Sequence, residues 1–132
     1  MSVISMTTSK KPIGITDGKF HPCPKSPNCV STQSTDEKHR MHPIKYTSTV
    51  AETKEKLKKI VNTFKRTKLI TETENYLHFE FRTATFKFVD DVEFYLDEKE
   101  KLIHFRPAAR LGWSDMGVNK KRMKSISKLY SE

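Results

Sequence analysis

The spacing of apolar residues in this chain switches from a helical period to a strand period near residue 68, and four strand-like runs then follow one another. No other feature narrows the choice of fold as far. Before the switch, Val50, Leu57, Ile60, Val61 and Phe64 fall on one face of a helix whose other face is filled with lysines. Thr49 followed by Glu52 has the spacing of a capping box, and Lys65, Arg66 and Lys68 suit the negative end of the dipole, so a helix is predicted over 49–68. After the switch come "KLITET", "YLHFEFRTA", "DDVEFYLD" and "KLIHFRP", separated by the short turns "EN" and "EKEK" and the connector "TFKFV". In the second run Leu77, Phe79 and Phe81 face one way, and Tyr76, His78, Glu80 and Arg82 the other. In the third, Val92, Phe94 and Leu96 share a face.

A short strand at 43–48, with Ile44 and Tyr46 on one side, precedes the helix. A final helix is predicted over 119–130, with Asn119 as N-cap and Met123, Ile126 and Leu129 or Tyr130 facing inward. Strands joined by short turns pair antiparallel, and one face of such a sheet needs a cover. The expected fold is therefore α+β: a two-layer β-α-β4-α domain whose antiparallel sheet is covered by two helices, in outline TBP-like or helix-grip-like. Folds of that outline carry unrelated functions, so function has to come from the site.

Residues 1–42 show neither period and are punctuated by Pro12, Pro22, Pro24, Pro27, Gly14 and Gly18. We expect a flexible arm over 1–20, and one domain over 21–132 in which the stretch around Cys23–Ser31 is ordered against the sheet. No run is long and apolar enough for a membrane helix, and the start lacks the apolar core of a secretory leader. The expected compartment is the cytoplasm, with no membrane partner.

The net charge of +9 is unevenly placed. Residues 69–105 hold 9 acidic and 4 basic groups, whereas 46–68 and 106–132 each hold 7 basic and 2 acidic. That layout favours pairing within the chain as much as nucleic acid. A DNA-binding saddle would also carry Glu80, Asp91 and Glu93, which repel phosphate, so nucleic acid is the weakest of the partner readings.

"CPKSPNCVS" at 23–31 holds both cysteines. Five residues separate them, where a zinc site usually has about two to four, and the nearby supplements are His21, His39 and His42. A redox pair would prefer a closer spacing at a helix start. In a reducing compartment the leading reading is a pair of small thiols that tuck a proline-stiffened loop onto the core, with zinc, a redox couple and a disulfide as alternatives. No cofactor is predicted; zinc at Cys23 and Cys29 is the one considered.

The other polar concentrations are "DDVEF" and "RPAARLGWSDMGVNKKR". In this order the three segments resemble the motifs of domain-of-unknown-function family 1499, found in bacteria and plastids. Cys23, Ser26, Pro27, Asn28, Cys29, Val30 and Ser31 fall on its first motif, and Asp90 and Asp91 on its second. Arg106, Arg110, Gly112, Ser114, Asp115, Gly117, Asn119 and Arg122 fall on its third. Pro107 and Ala109 stand where the family pattern has serines. The resemblance implies a shared fold and site region and supplies no activity.

The residues suggest a binding or structural module. Its expected site, for a small anionic ligand, lies between the Cys23–Ser31 loop and the Arg106–Arg122 segment. Ser26, Asn28, Asp90, Asp91, Arg106, Arg110, Ser114, Asp115, Asn119 and Arg122 are its candidate residues. Arginines and free amides at a helix start would hold the anion, unless Asp90, Asp91 and Asp115 neutralise the arginines first. Trp113 could close such a pocket or lie in the core, and the core is the leading reading. The alternative is a metal- or thiol-dependent enzyme or redox protein using Cys23 and Cys29 beside Asp90, Asp91 and Asp115, although adjacent aspartates on a strand point to opposite faces. Catalytic nucleophile, phosphate-loop and metal-helix motifs are absent from the sequence.

Overall fold

The structure is a computed structural model and describes residues 12–84 and 88–132. Residues 1–11 of the expected arm, and 85–87 of the expected "TFKFV" connector, lie outside the described residues. In chain order the elements are β1 (Ile15–Thr16), β2 (Lys19–Phe20), β3 (Ile44–Lys45), α1 (Val50–Asn62), β4 (Thr67–Glu72), β5 (Tyr76–Arg82), β6 (Val89–Asp97), β7 (Leu102–Ala109) and α2 (Val118–Ser131). From β3 onward this is the β-α-β4-α order expected. Ahead of it, β1 and β2 pair as a small antiparallel hairpin in the region anticipated as an arm. Strands β3 to β7 form one antiparallel sheet in the order β3-β7-β6-β5-β4, so its first strand pairs with its last.

The capping box forms as predicted: Glu52 N–H donates to Thr49 Oγ1 (3.1 Å) and Thr49 N–H to Glu52 Oε1 (3.2 Å). Helix α1 stops at Asn62, earlier than its lysine-rich continuation suggested. Thr63 N–H bonds back to Ile60 O, and Arg66 takes φ 60° to swing the chain into β4. Lys65, Arg66 and Lys68 therefore lie past the helix, and Lys59 is the basic residue in its last turn.

The core lies between the helices and one face of the sheet. Leu57 and Val61 of α1 and Met123 and Ile126 of α2 cover Leu77, Phe79, Phe94, Leu96, Ile103 and Phe105, all buried. Phe79 and Phe94 meet edge-to-face at 5.9 Å. Of the two residues considered for the end of α2, Tyr130 is buried and Leu129 exposed.

The second face of the sheet departs from expectation. Tyr76, His78 and Glu80, read as outward, are all buried, along with Asp91, Glu93 and Arg106. The N-terminal segment lies against this face. Gly14 N–H donates to Glu93 Oε1 (2.8 Å), and Pro22 O accepts from Arg106 (3.3 Å). Gly18, at φ +74°, passes so close to Tyr95 that a Cβ would stand 3.1 Å from its hydroxyl.

The stretch Asn28–Thr32 runs along the free half of β7. Val30 N–H donates to Pro107 O, Thr32 N–H to Phe105 O, and Ala109 N–H to Asn28 O. A bridge at Cys29–Ala108 completes the contact, so the proline-rich loop is ordered against the sheet as anticipated. Pro107 and Ala109 are buried, opposite Val92 and Asp90.

Cys23 and Cys29 are joined as a disulfide, with Cα atoms 5.6 Å apart. This corrects the expectation of two thiols, which rested on the assumed compartment. Geometry decides otherwise: β7 pins Cys29, and the turn through Pro24 and Pro27 brings Cys23 back to it. A bonded pair offers no thiolate to a metal. Among the described residues, no group of three or more His, Cys, Asp or Glu could hold a metal ion. Closing so short a loop is worth about 2 kcal/mol by its entropy. Replacing Cys23 and Cys29 together by serine should lower unfolding stability by about that amount in urea titrations. An unchanged midpoint would mean that the β7 contacts alone hold the loop.

Candidate functional site

Residues of all three motifs gather around β6 and β7, but on two faces. On the face lined by the N-terminal segment, β5, β6 and β7 align His78, Glu80, Asp91, Glu93 and Arg106 through their register. Arg106 donates to Glu93 Oε2 (3.2 Å), and the Tyr76 hydroxyl donates to Glu93 Oε1 (2.6 Å). Arg110, just past β7, grips Asp91 with two nitrogens (2.8 and 2.9 Å) and reaches Glu80 at 2.6 Å. His78 Nε2 meets Asp91 Oδ1 at 2.7 Å, and Arg82 meets Glu80 Oε1 at 3.1 Å.

On the core face, Asp90 takes Arg122 of α2 at 2.9 Å, and Arg122 also donates to Asn119 Oδ1. Buried Asn119 and Asn28 then tie the helix to the first motif. Asn119 Nδ2 donates to Asn28 O (3.4 Å), while Asn28 Nδ2 donates to Gly112 O (2.6 Å). Ser26 hydroxyl donates to Asn28 Oδ1 (2.8 Å). Asp115 accepts from the amides of Gly117 (2.9 Å) and Asn119 (3.0 Å), and Ser114 Oγ from Met116 N–H (3.1 Å). The N-cap of α2 is Gly117, in the left-handed region with no side-chain bond of its own, rather than Asn119 as expected. Asp115, two residues earlier, does the capping, which frees Asn119 to turn inward. The anion at this helix start is thus the chain's own carboxylate.

All ten candidate residues lie in these two networks, and the arginines are engaged by carboxylates. Asp90 and Asp91 point to opposite sides of the sheet, as their adjacency required. Asp115 lies at the helix start on the Asp90 side. Trp113, expected in the core, is 67% exposed. Not among the candidates are His78, Tyr76, Glu80 and Glu93, all members of the network. Their signal was a carboxylate on β6 directly opposite an arginine on β7, which the Glu93–Arg106 pairing realises.

A second feature had no sequence signal. A groove of about 760 Å³ opens between the segment 40–48 and the two helices. Arg40, Lys45, Lys56, Lys120 and Lys124 line it over a floor that includes Ile44, Tyr46 and Tyr130, and it has no carboxylate among its lining residues. Lys56 is held by Tyr130, whose carbonyl it reaches at 2.7 Å. Lys45, Lys120 and Lys124 make no ion pair among the described residues.

Burial pushes the Asp91 carboxyl up, but hydrogen bonds from Arg110 and His78 outweigh it and hold the group at about 2. Burial raises Asp90, and Arg122 only partly offsets it. Glu80 is lowered: burial opposes ionisation there too, and Arg110 overcomes it. Asp91 lies below its ordinary value of 3.8, so its contribution is complete above that value and is lost as pH falls toward 2. The difference corresponds to about 2 kcal/mol. Urea unfolding at descending pH should show the native protein losing about that much more stability than Asp91→Asn between about pH 5 and pH 2. Parallel profiles would show that Asp91 gains nothing from its partners.

The sequence profile of a family described as "Protein of unknown function (DUF1499)" matches residues 19–129, from the start of β2 to the last turns of α2. No curated protein matches the chain, and neither does any solved structure. With most of its length covered, including all three polar motifs, the chain belongs to the DUF1499 family.

Proposed function

We propose that this protein is a binding module for a small anionic ligand with an apolar body, and that the ligand lodges in the groove beside β3. The observation that carries this reading is the groove's lining: five cations and no carboxylate around an aromatic and aliphatic floor. A volume of about 760 Å³ suits a ligand of ordinary metabolite size. A carboxylate or phosphate head would meet Lys45, Lys120 and Lys124, and the body would rest on Ile44, Tyr46 and Tyr130.

The expected position between the Cys23–Ser31 loop and the Arg106–Arg122 segment is less favourable for an anion. Each arginine there already has a carboxylate partner, and Asp115 occupies the helix start. A ligand would have to displace charge pairs that are largely desolvated. The enzymatic alternative asks Asp90, Asp91 and Asp115 to share a site, and the sheet stands between the first two.

Decanoate, octyl phosphate and inorganic phosphate are suitable probes in thermal unfolding. A ligand at a hundredfold excess over its Kd stabilises by about 2.7 kcal/mol, so the chain-bearing anions should raise Tm clearly and phosphate much less. Lys45→Glu with Lys124→Glu, both at exposed positions, should abolish the rise without changing the Tm of the ligand-free protein appreciably. A Tm indifferent to all three probes, or equal shifts in the double variant, would sink the reading.

A further inference from the structure

The α1–β4 connection, the end of β5 with the start of β6, and the turn from β7 to α2 lie at one end of the sheet. Contacts fix their proximity, since Arg82 N–H donates to Arg66 O and Arg110 N–H to Val89 O. The β7–α2 turn is apolar at its surface. Leu111, Trp113 and Met116 are each more than half exposed, Met116 at 86%, and Val118 lies beside them. The half-exposed Phe88 borders the same shallow cavity of about 310 Å³. Large apolar side chains gathered on one turn are not the ordinary scatter of a soluble surface.

Exposed cations outnumber free carboxylates around this end. Lys65, Arg66, Lys68 and Lys121 are exposed and make no ion pair among the described residues. Of the nearby carboxylates, Asp90 is paired with Arg122, while Asp115 is held by backbone amides at the helix start and keeps its charge. At the opposite end the turns are mixed, with Glu74, Asp97, Glu98 and Glu100 beside Lys99 and Lys101. The molecule thus presents an apolar tip and a partial collar of exposed cations at one end of the sheet, and turns of mixed charge at the other.

We propose that this pole docks on an anionic lipid bilayer, with Trp113, Leu111 and Met116 entering the headgroup region and the collar facing lipid phosphates. Tryptophan favours that interface, where an indole has apolar and polar surroundings at once. Surface cations add attraction to anionic lipid, and two such signals together make an anchor that neither makes alone. A protein partner would have to match both the apolar tip and the collar, whereas a bilayer of anionic lipid supplies both without further shape. This surface shares no lining residue with the groove beside β3.

Trp113 is the single tryptophan of the chain, so its emission reports on this site alone. Titrating the protein with vesicles of mixed phosphatidylglycerol and phosphatidylcholine should shift that emission to the blue and co-sediment the protein. Pure phosphatidylcholine vesicles should do neither, and added salt should reverse the binding. Lys65→Gln with Arg66→Gln should weaken binding roughly thirtyfold, at about fivefold per surface cation. Leu111→Asp with Met116→Asp, at exposed positions, should remove the blue shift while far-ultraviolet circular dichroism stays unchanged. Equal binding to both kinds of vesicle, or to neither, would overturn the proposal. So would a blue shift that grows with protein concentration in the absence of lipid, which would assign this face to a second copy of the chain.

Discussion

Burying Arg106 against Glu93 is the constraint on which the rest of this structure hangs. Both side chains are essentially inaccessible to water, and an unpaired charge in that position would cost several kcal/mol. Every element that desolvates the pair must therefore also supply hydrogen bonds. Tyr76 and Gly14 satisfy Glu93, and Pro22 satisfies the far side of Arg106, whose Nε alone is left without a bond. The N-terminal segment is consequently part of the folded unit: without it, a guanidinium and a carboxylate would face a half-open surface.

Such networks are seldom the main source of stability, because a well-packed apolar equivalent does as well or better. What they supply here is register. A shift of β6 by one residue would turn Asp91 and Glu93 into the core and bring Val92 and Phe94 out, with Arg106 and Arg110 left unmatched. The adjacent pair Asp90 and Asp91 extends this control through the sheet. One aspartate anchors α2 through Arg122, and its neighbour holds the turn after β7 through Arg110. A single dipeptide thereby sets the position of the last helix relative to the strand that precedes it.

Where the chain alternates strictly, its fold was legible. The periods of 76–82 and 90–97 located β5 and β6, and Thr49 with Glu52 located the start of α1. The end of α1 was not, because lysine continues a helical pattern without marking its stop, and the turn depends on Arg66 entering a left-handed conformation. Tyr76, His78 and Glu80 were assigned to solvent since polar residues on alternate positions ordinarily face it. They are buried because of a distant segment with no period of its own, which local pattern cannot reveal. Trp113 failed in the opposite direction: its size suggested the core, but the short turn between β7 and α2 offers it no cover. The motif residues gather around β6 and β7, but the pleat divides them between two faces where a single site was expected, and the groove beside β3 arises from lysines far apart in sequence.

The pairing of Asn28–Thr32 with β7 also bears on which strand edges this sheet leaves open. An exposed strand edge is a template for another chain. Here β3 and the cysteine loop divide the outer edge of β7 between them, so among the described residues a full-length edge remains only at β4. That strand is itself irregular, with a bulge between Leu69 and Thr71, and carries Lys68 and Glu72. A kinked, charged edge accepts a foreign strand poorly. Opening the cysteine loop would uncover a second edge of a different kind, regular in register and lined by Phe105, Ala108 and Ala109. The least regular part of the chain is thus what covers an edge of its most regular part.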